Sequence, residues 1–337
     1  MSLTPTCDAP LDNCLMSGVV VKLDRGFPLV NLSDGSLLRC EHATSLVKNA
    51  RLRAAIGDRV QVSVPPSHDK GIIESIEKRR TSFVRKDPAE RTASQVLAAN
   101  FDLVIVVEPI VQLNQRRLER ELVLAHETGA DVAVVLSKVD LMSADEAEKT
   151  IAEVQGLAGR MVPVLAVSKD DVASIEQVRR LVPKGKVAIL IGKSGVGKST
   201  LINALVGAKV QDTQSVREGD GKGRHTTVDR VMVELPDGGI IVDMPGIRGL
   251  GIWEAGHGLG AAFPDVEELA QQCRFRDCVH ENEPGCAVRA AVESGELAAA
   301  RFQSYKSLSD EIAAVGTRRT EARRMRGEKA SDRRKRP

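Results

Sequence analysis

Between Leu15 and Ile76 the apolar residues come in short runs, GVVVKL, PLVNL, SLLRCE, RVQVSV and GIIESI. Ser33-Asp34-Gly35, Gly57-Asp58 and Ser67-His68-Asp69-Lys70-Gly71 separate them. Apolar runs punctuated by turn-forming clusters predict strands. Five of them in so short a stretch predict a small β-barrel, of OB type in the first instance, with an SH3-like barrel as its rival. Beyond the basic stretch KRRTSFVRKDPAER (78–91) the period changes. FDLVIVVE, DVAVVLS, PVLAVS and KVAILIG read as fully buried strands, alternating with helical patterns near 114–128, 143–157 and 170–181. That alternation predicts a parallel sheet covered on both faces. RVMVEL and GIIVDM, joined by Pro236-Asp237-Gly238-Gly239, predict a hairpin, and from Phe263 onward the pattern is helical. No internal repeat is visible.

Composition changes this picture in two places. The 337 residues include only one Trp, one Tyr and six Phe, so the cores must rest on aliphatic side chains and RNA contact on little base stacking. The net charge of +2 hides an uneven distribution: residues 318–337 hold ten Lys and Arg against Glu321, Glu328 and Asp332. A tail of that kind points to a polyanionic partner, with a disordered solubilising end as the plainer reading. No apolar run reaches the ~20 residues that a membrane span needs. The opening MSLTPTCDAPLDNC lacks the features of a signal peptide. Six Cys without an export signal indicate a reducing compartment, so a cytoplasmic protein is expected.

Chemistry enters with Gly192-Lys193-Ser194-Gly195-Val196-Gly197-Lys198-Ser199, which fits G-x-x-x-x-G-K-[ST] between a predicted strand and a helix opening at Ser199-Thr200. Its backbone N–H groups are suited to wrap phosphates, Lys198 to reach the β and γ oxygens, and Ser199 to hold Mg²⁺. Asp243-Met244-Pro245-Gly246 closes the strand GIIVDM, where a carboxylate would make the second Mg²⁺ contact and Gly246 would donate to the γ-phosphate. Between them Gly219–Thr227 (GDGKGRHTT) has the composition of a switch loop, or of a floppy one. Thr226 or Thr227 would supply a metal-binding hydroxyl, with Thr227 preferred.

Ser137-Lys138-Val139-Asp140 resembles the guanine motif N-K-x-D. Asp140 would accept from guanine N1–H and its 2-amino group, whereas adenine N1 would repel it. Ser137 stands where Asn is expected and lacks its amide, so one stabilising contact is expected to be shortened or lost. Val167-Ser168-Lys169 would be the companion loop approaching guanine O6. Both guanine loops precede the phosphate loop, the reverse of the usual order of these motifs. Cys273, Cys278, His280 and Cys286 form C-x4-C-x-H-x5-C, which suits one closed, structural Zn²⁺ site. Cys7, Cys14 and Cys40 show no such spacing.

The motif order, GRHTT, DMPG, the barrel before and the cysteine cluster after together resemble the circularly permuted, ribosome small-subunit-dependent GTPase A family of bacteria (RsgA, also called YjeQ). The resemblance implies a multi-domain fold: an N-terminal OB-type β-barrel, a central α/β P-loop GTPase with circularly permuted motif order, and a C-terminal helical zinc-binding domain. Boundaries are expected as a leader at 1–14, barrel 15–78, basic connector 79–92, GTPase 93–255, zinc domain 256–317 and basic tail 318–337. The resemblance further implies GTP/GDP with Mg²⁺, action in late maturation of the small ribosomal subunit, and hydrolysis stimulated by that subunit. Its rRNA is the expected partner, with other assembly factors beyond it, and no dimerisation signal argues against a monomer. Ile247 follows Gly246 where a water-orienting Gln would stand, so intrinsic turnover should be slow. His225 is the nearest polar candidate for positioning the water; a solvated loop histidine is the alternative. An ATP-using P-loop enzyme and a GTP-gated RNA-binding factor with incidental hydrolysis remain competing readings.

Overall fold

The computed structural model describes residues 15–24, 27–49, 52–64, 69–86, 94–209, 230–244 and 256–334. The expected leader, His225, Thr226, Thr227 and Gly246 lie outside them. Two compact units partition the chain: Met1–Arg80 with Leu97–Asn100 and His225–Met232, and Thr81–Val96 with Phe101–Arg224 and Val233–Pro337.

In the first unit, β1 (Leu15–Asp24), β2 (Phe27–Leu32), β3 (Leu37–His42), β4 (Arg59–Ser63) and β5 (Gly71–Ile76) follow the predicted runs. β1 pairs antiparallel with both β2 and β4, helped by a register shift at Val20/Lys22 that bends it. β2 pairs antiparallel with β3, β3 pairs parallel with β5, and β5 returns antiparallel to β4. The sheet therefore closes in the order 1-2-3-5-4-1. A helical turn, Ser45–Asn49, lies between β3 and β4. The parallel β3–β5 contact decides for an OB-type barrel over an SH3-like one, which joins consecutive strands antiparallel. Val20, Val30, Leu32, Val60, Val62 and Ile73 fill it.

The basic stretch after the barrel is more structured than a connector. Asp58, fully buried, accepts from Ala55 N–H (2.7 Å) and from Arg79 Nε and Nη2 (2.8 and 2.7 Å), so Arg79 is part of the barrel. Ser82–Lys86 forms β6, which pairs with β7 (Ser94–Ala99).

In the second unit β8 (Leu103–Pro109), β9 (Asp131–Ser137), β10 (Val164–Val167), β11 (Val187–Ile191) and β13 (Ile240–Asp243) form a parallel sheet in the order β10-β9-β8-β11-β13. β12 (Arg230–Glu234) precedes β13 through a turn in which Leu235 N–H donates to Gly239 O (2.7 Å). Helices α1 (Gln115–Glu127), α2 (Ala144–Ala158), α3 (Val172–Arg180) and α4 (Lys198–Val206) alternate with the strands as the periodicity predicts. Asn114, Ser143 and Asp171 cap the first three through their side chains. α5 (Gly256–Ala262), α6 (Pro264–Ala270), α7 (Ala287–Ser294) and α8 (Ala299–Arg334) follow. The expected tail is not a separate segment, because α8 runs unbroken through 36 residues to Arg334.

Candidate functional site

Strand register brings the predicted loops to one edge. Ile191 is level with Val106, Leu190 with Asp243, Pro109 with Ser137, and Ser137 with Val167. Every candidate loop in the described residues thus leaves the carboxyl end of a parallel strand, where open α/β sheets bind ligands.

The phosphate loop is shaped by its glycines. Gly192 has φ +143°, and a Cβ there would stand 2.3 Å from Val107 O, so no other residue fits. Gly197 is the N-cap of α4 at φ +104° and offers no side chain to the first-turn N–H groups, leaving them available to an anion. Val196 is buried; Lys193, Ser194 and Gly195 are exposed; Ser199 and Thr200 are half-buried. Lys198, buried, folds its ammonium onto Gly192 O (2.7 Å) and Lys193 O (3.1 Å). Burial holds that ammonium below the ordinary lysine value, against the opposing charges of Asp243, Glu121 and Glu108. Asp243 is buried with Oδ1 lacking any hydrogen-bond partner. Burial pushes its carboxyl up, and Lys198 pulls it back. An orphaned carboxylate oxygen beside a phosphate loop is the donor that Mg²⁺ requires, so these residues fit the ion.

On the guanine side the hydroxyl of Ser137 is not idle. It is buried and donates to Val196 O in the phosphate loop (2.6 Å), with Glu108 O at 3.4 Å. The contact that an amide would make is replaced by a tie between the two loops. Lys138 adopts φ +63° and reaches Gly195 O (3.4 Å). Val139 and Asp140 lie in a short 3-10 turn with Asp140 exposed. β10 runs parallel to β9 with Val167 level with Ser137, so the companion loop leaves the sheet beside the guanine loop, and Asp170 raises the pKa of Lys169. Ser168 is buried, its hydroxyl accepting from Asp170 N–H (3.4 Å).

A cluster that sequence reading missed adjoins Lys198. Glu108 is fully buried and clamped by Arg117 through Nε (2.6 Å) and Nη2. Glu121, one turn along α1 from Arg117, is buried with Oε2 unpartnered. Burial first, then Glu108, push its carboxyl up to about 8, so it keeps its proton at neutral pH and hydrogen-bonds Glu108. The available signal was a Glu ending an otherwise apolar strand, followed by an Arg and a Glu four residues apart.

The cysteine cluster is assembled as the spacing predicts. One ligand atom from each of Cys273, Cys278, His280 and Cys286 lies within 4.8 Å of the others. Cys273 Sγ is 4.0 Å from Cys286 Sγ and 3.7 Å from His280 Nδ1, which is 3.4 Å from Cys286 Sγ. Tetrahedral zinc bonds of ~2.3 Å to sulfur and ~2.0 Å to nitrogen give edges of about 3.8 and 3.6 Å, so the four groups fit Zn²⁺. Cys286 also caps α7, accepting from Arg289 N–H (3.5 Å).

The family model for the RsgA GTPase matches residues 76–253. The chain belongs to the RsgA GTPase family. Among curated RsgA proteins, the "Small ribosomal subunit biogenesis GTPase RsgA" of Streptomyces coelicolor is 42% identical over 298 residues, covering 88% of this chain and 80% of its own. That of Methanosarcina acetivorans is 37% identical, covering 80% and 74%. The crystal structure of YjeQ from Thermotoga maritima superposes with a TM-score of 0.67 at 26% identity, covering 89% of this chain and 99% of that one. YloQ, described as a circularly permuted GTPase, shares the fold with a TM-score of 0.64 at 24% identity.

As an RsgA-family GTPase, the chain carries its C-terminal helices on the same unit as the nucleotide motifs, and α1 makes the join. Arg301 of α8, 4% exposed, donates to Glu119 Oε1 of α1 (2.9 Å). It also donates to Asp265 (3.0 and 3.1 Å) and to the carbonyls of Ala262 (2.9 Å) and Leu157 (3.2 Å). Its guanidinium lies 4.0 Å from the Phe263 ring centroid. Ser304 hydrogen-bonds the other Glu119 oxygen, and Arg120 pairs in bidentate fashion with Glu311 (2.6 Å twice). Glu119 is ~200° round the helix from Arg117, so α1 faces Glu108 on one side and α8 on the other.

Proposed function

We propose that this RsgA-family GTPase hydrolyses GTP slowly on its own and faster when engaged with the small ribosomal subunit, in the late maturation of that subunit. The observation that carries the reading is the juxtaposition at one sheet edge of Lys198, the orphaned Asp243 and the Ser137-tied guanine loop. In this reading Gly192–Thr200 cradles the phosphates and Lys198 leaves its carbonyl partners to meet the β and γ oxygens. Ser199, Asp243 and Thr227 hold Mg²⁺, which offsets phosphate charge when bound. Asp140 selects guanine over adenine by accepting two hydrogen bonds from the base. Lys138, Val139 and Ser168 line the base site, and Gly246 donates to the γ-phosphate. His225 orients the attacking water in the subunit-bound state, and Ile247, an aliphatic side chain where a water-orienting Gln would stand, makes this help necessary. Cys273, Cys278, His280 and Cys286 would together hold one zinc ion, which would supply structural rather than catalytic chemistry. The S. coelicolor and M. acetivorans relatives are named for small-subunit biogenesis, and the basic end of α8 suits an RNA partner. Among the described residues no helix is long and apolar enough to cross a membrane.

GTP turnover measured with and without isolated small subunits tests this, with ATP and large subunits as controls. Stimulation confined to GTP and small subunits is expected. Equal use of ATP would remove Asp140 from its role, and equal stimulation by large subunits would remove the proposed partner.

A further inference from the structure

The chain has eight aromatic residues, and among the described ones only Phe27 and Phe275 are exposed, at 37% and 41%. Phe275 stands between the first two thiols of the Cys₃His turn, in the run Cys273-Arg274-Phe275-Arg276-Asp277-Cys278. Its place is set by the backbone: Arg274 N–H donates to Gly285 O (3.1 Å), and Cys278 N–H closes the turn on Phe275 O (3.3 Å). The Arg274 guanidinium lies 5.6 Å from the Phe275 ring centroid, and Arg274 and Arg276 are both exposed.

The acidic groups of this turn are largely engaged elsewhere. Glu283 accepts the N–H groups of Val279 (2.9 Å), Glu281 (2.8 Å) and Asn282 (3.0 Å). Glu281 pairs with Lys306 (2.7 Å). Arg274 and Arg276 are thus exposed beside Asp277, while Glu281, also exposed, is paired with Lys306. An exposed phenyl ring flanked by two guanidiniums matches the chemistry of a splayed-out nucleotide, with a π face for the base and cations for its phosphates.

We propose that Phe275, with Arg274 and Arg276, is a stacking platform for an unpaired base of the small-subunit RNA. The inference rests on the small-subunit reading above and adds to it a contact that depends on base stacking. It differs from contact by the basic end of α8, whose Lys and Arg residues engage phosphate charge alone.

The test compares wild type, Phe275→Ala, Phe275→Trp and the double variant Arg274→Gln/Arg276→Gln. Each is titrated with isolated small subunits and with protein-free small-subunit rRNA at several salt concentrations. Phe275→Ala should weaken both titrations about tenfold, the loss of one stacked base, with the salt slope unchanged. Phe275→Trp should bind as wild type. The double arginine variant should lower the salt slope by about two. Melting temperature and basal GTP turnover should match wild type in all three. Unchanged affinity of Phe275→Ala would overturn the proposal, as would weakening towards intact subunits alone, which would mark a protein contact. Wild-type protein that bound neither probe would refute the small-subunit reading itself.

Discussion

Ser137 shows what one hydroxyl can do in place of an amide. The sequence led us to expect a lost contact, because nothing near Ser137 in the chain reveals that Val196, 59 residues on, presents its carbonyl 2.6 Å away. Ser137→Ala should therefore cost about 1 kcal/mol of stability in denaturant unfolding, since the bond is formed without nucleotide. An equal stability would show that the loop-to-loop tie is idle. Glu121 is the other residue whose chemistry was invisible locally. It keeps a proton in the fold up to about pH 8, whereas the unfolded carboxyl loses it near 4.5. Stability should therefore fall as pH rises through that window and level off above it, by at most roughly 1.4 kcal/mol per pH unit for one proton. Glu121→Gln should flatten the fall in melting temperature between pH 5 and 8; an unaltered slope would place the titration elsewhere.

Among the elements, the strands and the first three helices of the GTPase core were legible because their signals are local. Near-continuous apolar runs marked the buried strands, and amphipathic periodicity marked the helices between them. The phosphate loop and the cysteine cluster were legible for the same reason, since each packs its chemistry into a short span. Strand pairing was not: the parallel β3–β5 contact that decides the barrel type joins residues that no turn connects directly. Least legible was the seam between α1 and α8, where Glu119 and Arg301 are 182 residues apart. Arg301→Ala would leave the Glu119 carboxylate buried without its cation, and about 3–5 kcal/mol of stability should be lost. Arg120→Ala, at the half-exposed end of the same seam, should cost no more than about 1 kcal/mol. Denaturant unfolding of the two variants measures the difference, and equal losses would contradict the ranking by burial.

For the whole molecule, the unbroken course of α8 alters how the basic end is presented. A helix of 36 residues is about 54 Å long, so most of the residues that the sequence assigned to a tail belong to one continuous helical arm. Deleting residues 318–337 should weaken small-subunit binding and reduce the steepness of its salt dependence, while leaving basal GTP turnover intact. Binding titrations between low and moderate salt would show this, and an unchanged slope would remove the arm from the interface.

The buried Glu119–Arg301 pair also sets where the chain can be divided. All the nucleotide motifs end by Gly246, and the family match itself ends at 253. A fragment cut there would keep every residue assigned to GTP yet strip Glu119 of both Arg301 and Ser304. A nucleotide-binding fragment that keeps the Glu119 carboxylate paired therefore has to extend past Ser304. The border of the chemistry and the border of the folding unit lie some fifty residues apart.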